Sequence, residues 1–146
     1  MATVPAVVPG LYGAKQGMVD RMIAELMLAA MILTAPAATW EGTQLTPEMG
    51  VNFDCPMYAE TWYNMPMDAF IGFLYDLGWT GYHWIREDGV HMWNDGTGDF
   101  VMVGAYLPKY PRGTKLDTSL GPGIVCDTGY FYYGEDQIDI ATIWSI

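Results

Sequence analysis

Two carboxylates late in the chain, Asp127 and Asp139, stand twelve positions apart. The run Ile124-Val125-Cys126 leads into the first, and Ile138 precedes the second. Gly121-Pro122-Gly123 and Gly134-Glu135-Asp136 bound these runs. Short apolar runs between turn residues predict two buried strands, each delivering an Asp. A buried ionised carboxylate is costly unless it is paired or hydrogen-bonded. Two on neighbouring core strands suit proton transfer, because a second carboxylate disfavours a second negative charge and so holds a proton on the pair. Both residues also have plainer uses. Asp127, before Thr128-Gly129, suits a turn in which the side chain bonds its own backbone. Asp139 suits bonding to loop amides inside a barrel.

Other reactive side chains are few. His83 and His91 flank Arg86-Glu87-Asp88-Gly89, where the Asp-Gly pair predicts a β-hairpin that would bring the two rings together. Such histidines on a ribbon ordinarily pack or face solvent, so no metal or other cofactor is expected. The run from Asn94 to Asp99 has the look of a calcium loop but lacks the terminal Glu at the required spacing, and reads as a turn. Cys55 and Cys126 lack zinc spacing, and their number suits either one disulfide or two thiols.

The chain has 146 residues, the size of one ordinary domain, and 51% are apolar, enough for a core. Its formal charge is −11, with six basic residues, which excludes a nucleic-acid partner and gives no attraction to anionic lipid. Six Trp and ten Tyr suit strand packing, and would also line a carbohydrate cleft.

The elements that must position the two aspartates follow in order. Residues 1–17, with Pro5, Pro9 and three glycines, form an arm. Residues 18–36 are rich in helix formers and stop at Pro36. Their core from Leu26 to Leu33, followed by Ala35-Pro36-Ala37-Ala38, gives residues 18–38 the look of an atypical export signal, implying an exported or cell-envelope protein. The other reading is an N-terminal helix packed on the domain or on a second copy, as in a homo-oligomer. Residues 1–40 thus form an arm and helix, 41–59 a polar linker, and 60–146 the main domain. In that domain Glu60–Asn64 reads as a strand. Met67, Phe70, Ile71, Leu74 and Leu77 then make a helical stripe, with Pro66 at its start and Gly78 at its stop. Asp99–Ala105 and Thr114–Leu116 read as further strands. Short strands, frequent turns and one helix fit a small β-barrel, mainly β in class.

Three motifs in order carry a resemblance. Pro111-Arg112-Gly113-Thr114-Lys115-Leu116, then Asp127-Thr128-Gly129, then Ile138-Asp139 resemble the signature of the three-aspartate (3D) domain, over about residues 60 to 144. Glu60-Thr61-Trp62-Tyr63 is similar to the strand that opens many members. The family's first Asp has no counterpart just before Pro111, the nearest upstream carboxylate being Asp99. Tyr130 replaces its second glycine, offering a ring on which a sugar can stack. The resemblance implies a double-psi-like β-barrel with one or two helices, as in membrane-bound lytic transglycosylase A and the stationary-phase survival wall enzymes. It implies a lytic transglycosylase activity on peptidoglycan, cutting the muramyl–glucosaminyl bond without water. Asp127 would then be the acid/base and Asp139 its tuning partner. Lys115, Thr128, Gly129 and Tyr130 would bind substrate. A wall-binding or assembly module without catalysis is the alternative on the same barrel.

Overall fold

The computed structural model describes residues 16–23, 40–129 and 131–146. The chain divides into two compact units, Met1–Pro36 and Ala37–Ile146. In the first, residues 16–23 form helix α1, whose Met18, Val19, Met22 and Ile23 are exposed. Residues 24–39, which hold the apolar core and small residues of the export reading, lie outside the described residues, as does Tyr130.

The second unit is mainly β, a seven-stranded sheet curled into a half-barrel, as the pattern of short strands predicts. Its strands are β1 (Ala59–Asn64), β2 (Tyr82–Ile85), β3 (His91–Asn94), β4 (Asp99–Gly104), β5 (Lys115–Thr118), β6 (Gly121–Asp127) and β7 (Gln137–Thr142). Helix α2 (Asp68–Asp76) follows β1. The path β1-β7-β4-β3-β2 carries a branch, because β6 also pairs with β4 and β5 pairs with β6. The β1–β7 and β4–β6 pairs are parallel, and the rest are antiparallel.

Side-chain alternation along the strands divides the core between two faces. Val101, Val103, Val125, Ile138 and Ile140 pack on one, with Leu45 and Trp144. Met102, Ile124, Cys126 and Ala141 pack on the other against Met67 and Leu74 of the α2 region. Helix α2 begins after Pro66 with Asp68 in its first turn, where a carboxylate meets the positive end of the dipole. It ends in a Schellman arrangement: Trp79 N–H donates to Leu74 O at 3.0 Å and Gly78 N–H to Tyr75 O at 2.9 Å. Gly78 takes φ +90°, which explains the glycine there. Leu77, expected on the buried stripe, is exposed because it is already the C-cap.

Residues 41–59, expected as a linker, are packed against the half-barrel instead. Leu45 is buried in the core, and Asn52 forms a bridge with Glu60. The anchor is Glu60 itself, fully buried on β1. Its carboxylate accepts from Ser119 N–H at 2.7 Å and from the Ser119 hydroxyl, in the turn between β5 and β6. That hydroxyl in turn accepts from Leu45 N–H at 3.0 Å. A side-chain clasp thus joins two elements that no backbone ladder connects. Burial pushes the Glu60 carboxyl above its ordinary value, while the Ser119 bonds oppose the rise. Cys55 and Cys126 are both buried thiols without a disulfide. Burial raises the first to about 12 and the second as well, which leaves neither as a nucleophile at neutral pH.

The predicted hairpin joins β2 to β3, with Gly89 at φ +87°. It does bring the histidines together: His83 Nε2 and His91 Nδ1 are 2.7 Å apart and the rings stack at 5.0 Å. The nearby carboxylates are used elsewhere. Asp88 pairs with Arg86, Asp95 with Lys115, and Asp99 accepts from Trp84 and Asn94. Burial, and then the neighbouring His83, lower His91 to about 4. The unfolded chain therefore binds a proton near pH 6.5 that the folded chain refuses until about pH 4, so stability falls as the medium is acidified through this window. From pH 7 to 5 this amounts to about 2 kcal/mol for one such histidine. Glu60 acts with the opposite sign, so the histidine contribution is isolated by difference. Urea unfolding at pH 7 and 5 should show the loss in the wild type and a smaller one in His91→Leu. Equal losses in both would show that His91 does not titrate this way.

Candidate functional site

The two aspartates meet at a single glycine. Gly104, the last residue of β4, stands opposite Asp127 of β6 on one side and opposite Asp139 of β7 on the other. Residues directly opposite one another point to the same face of a sheet. A register shift after Val103 is what brings Asp127, rather than Cys126, level with Gly104. With strands about 4.8 Å apart, the two Asp backbones are roughly 10 Å from each other across β4.

The space above Gly104 is taken by the turn after β6. A methyl group on Gly104 would lie 3.1 Å from Thr128 O and 3.4 Å from Gly129 N. One on Gly129 would lie 2.5 Å from Asp139 Oδ2. The Thr128-Gly129 backbone therefore leaves Asp127, crosses Gly104 and comes to rest on Asp139. At both glycines the neighbouring atoms come close, tightly at Gly104 and within 2.5 Å at Gly129, where a side chain would force a shift.

The two carboxylates differ in setting. Asp127 is partly exposed, and its Oδ1 accepts from Thr128 N–H at 2.8 Å. The turn role read from its sequence neighbours is thus present. Asp139 is 9% exposed and lies beneath the turn. Its Oδ1 accepts from the Thr61 hydroxyl and from Gln137 Nε2 at 3.1 Å. Gln137 also donates to Thr61 Oγ1 at 2.9 Å, and its Oε1 accepts from Tyr133 N–H at 2.9 Å. Asp139 thus bonds side chains of β1 and β7 as well as supporting the turn.

Lys115 is not at this site. It pairs across from Ile124, three residues before Asp127, and its ammonium binds Asp95 at 2.7 Å over the Phe100 ring. The strand position was legible, but the partner on the turn between β3 and β4 was not. Thr128 is exposed and Gly129 partly so, both at the lip of the site, while Tyr130 lies outside the described residues. Two residues escaped sequence reasoning. Thr61 read only as part of a strand, and it binds Asp139. Tyr63 points its hydroxyl into the same face, buried and, among the described residues, without a hydrogen-bond partner. Burial raises its phenol, and Cys126, Asp127 and Asp139 add to the rise, which places the ring close to all three.

Several aromatic residues belong to the loops at this end of the half-barrel. The starts of β1 and β7 and the ends of β4 and β6 lie together here, given the pairing directions. Tyr106, after β4, packs edge-on against Phe131, whose ring lies 3.2 Å from the position a Gly129 methyl would take. Tyr58 precedes β1, and Tyr132 and Tyr133 precede β7.

Comparison with protein-family models, with curated proteins and with solved structures finds no match to this chain. The resemblance to the three-aspartate domain therefore rests on the motif residues alone.

Gly129→Ala should expose the contact that shapes the site. The new methyl would collide with Asp139 Oδ2, and the carboxyl is held through its Oδ1 by Thr61 and Gln137, so relief requires the turn or the acid to move. Thermal unfolding should show a loss of about 1–3 kcal/mol, the ordinary cost of overpacking. An unchanged melting curve would mean that the turn does not rest on Asp139.

Proposed function

We propose that the half-barrel acts on the glycan strands of peptidoglycan as a lytic transglycosylase-like domain, with Asp127 as the group that transfers the proton. One observation carries this reading: Asp127 and Asp139 flank Gly104 on one face, at an end of the barrel whose loops carry aromatic residues. Asp127 is the carboxylate a substrate can reach. In the first step its carboxyl proton passes to the glycosidic oxygen as the muramyl C1–O bond breaks. In the second, the resulting carboxylate takes the proton of the muramyl C6 hydroxyl as that oxygen bonds to C1. The product is a 1,6-anhydro sugar, the acid is regenerated, and no water is consumed. A carboxyl group shielded from water by bound sugar favours its neutral form, as the first step requires. Asp139, too buried to touch substrate, serves as a positioning residue that fixes the Thr128-Gly129 turn, whose backbone lies beside Asp127. An exported or envelope location follows from this substrate, and the acidic charge leaves nucleic acid outside the partners.

The second reading is a non-catalytic wall-binding or assembly module. It draws support from the burial of Asp139 and the engagement of Lys115 with Asp95. The exposed apolar residues of α1 would then serve contact with a further copy.

Purified protein incubated with peptidoglycan sacculi should release anhydro-muropeptides detectable by mass spectrometry. Asp127→Asn should slow release about a hundredfold or more, the usual scale for a lost acid/base, while keeping the wild-type melting temperature. No anhydro product from the wild type, or equal rates from Asp127→Asn, would defeat the catalytic reading and leave the binding module.

A further inference from the structure

A hollow of about 460 Å³ opens between three loops that the proton-transfer chemistry does not use. Its walls are Pro56, Met57 and Tyr58 before β1, Lys109 and Tyr110 after β4, and Asp136 before β7. The volume is in the range of small-molecule clefts. Its polar groups converge on one carboxylate: Asp136 Oδ1 accepts from Lys109 Nζ at 2.7 Å and from the Tyr110 hydroxyl. The loops are also joined through backbone, with Tyr58 N–H donating to Asp136 O at 3.4 Å.

Exposed rings lead away from this hollow. Tyr58 stands edge-on to Phe53 at 6.0 Å, Phe53 to Tyr133 at 5.1 Å, and Tyr133 to Tyr132 at 5.0 Å. Tyr58, Phe53 and Tyr132 are 58%, 54% and 78% exposed, far more than core packing explains. The backbone of Tyr133 is tied to the candidate site, because its N–H donates to the Gln137 side chain that also binds Asp139.

We infer that this hollow and its aromatic ladder form a saccharide subsite, one sugar ring stacking on Tyr58 with its hydroxyls bonded to Asp136 and Lys109. The inference rests on the glycan reading above and gives it a place of attachment separate from Asp127. A pyranose has an apolar C–H face and a ring of hydroxyls that both donate and accept. Tyr58 matches the face, and the carboxylate beside an ammonium and a phenol matches the hydroxyls. A proline-rich peptide would also lie on aromatic rings, but it has few donors for Asp136 to accept.

Asp127→Asn protein, which binds without turnover on this account, would be titrated with a soluble β-1,4-linked tetramer of N-acetylglucosamine and followed by tryptophan fluorescence and calorimetry. Tyr58→Ala in that background should weaken binding about tenfold or more, with Tyr58→Phe restoring it. Tyr132→Ala should weaken it to a smaller degree. All three variants keep the fold if the melting temperature is unchanged, as expected for exposed rings. Absence of tetramer binding by the parent, equal binding by Tyr58→Ala, or binding of a proline-rich peptide in its place would overturn the subsite. Tetramer binding that depends on Tyr58 in a protein releasing no anhydro-muropeptides would uphold the subsite while removing the catalytic reading. Release of such products at the wild-type rate by Tyr58→Ala, with tetramer binding unaltered, would do the reverse.

Discussion

A missing side chain at Gly104 is the constraint on which the site depends. β4 is the strand that changes neighbours, pairing with β3 near its start and β7 at its end, while β6 runs beside it from Val101 to Gly104. Only at that end can two strands from late in the chain present carboxylates on either side of one residue. A side chain at Gly104 would press on the Thr128-Gly129 turn where it crosses the sheet. Without that turn Asp139 would lose its cover, and Asp127 would lose the backbone amide that steadies it. Sheet register, a short turn and two glycines thus make up one geometric device.

Closure of the half-barrel is of a different kind. Backbone ladders run from β1 through β7 and β4 to β6 and β5, and then stop. Glu60 spans what remains by binding the turn between β5 and β6, with Leu45 and Asn52 drawn in beside it. A buried acid satisfied by several donors is expensive to remove, because the donors left behind lose their partner. The segment before β1 is consequently part of the domain even though its composition is polar and turn-rich.

How much of this was legible follows from the range of each signal. The helix after β1 and the β2–β3 hairpin are local features, written in Pro66, Gly78 and Asp88-Gly89, and both formed where expected. The strands bearing Asp127 and Asp139 were likewise marked by apolar runs between turn residues. The apolar pattern could not show that β4 would separate those strands, because pairing between distant strands is decided by tertiary fit. For the same reason Lys115 gave no sign of its bond to Asp95, nor Thr61 of its bond to Asp139. β6 begins at Gly121, earlier than the Gly-Pro-Gly turn suggested. Pro122 is accommodated opposite Asp117, where a two-strand pairing with the edge strand β5 tolerates a lost donor.

Gln137 gives the loop before β7 a mechanical property. Its amide is read from both ends, the oxygen by Tyr133 and the nitrogen by Thr61 and Asp139, so it cannot turn over without setting like against like. Gly129 meanwhile sits on the other oxygen of Asp139. Gly129 and Gln137 therefore both contact one carboxylate. Tyr133 and Gly129 thus share one acid as a neighbour, the first through Gln137 and the second directly, so a change in the bonding of Asp139 reaches both.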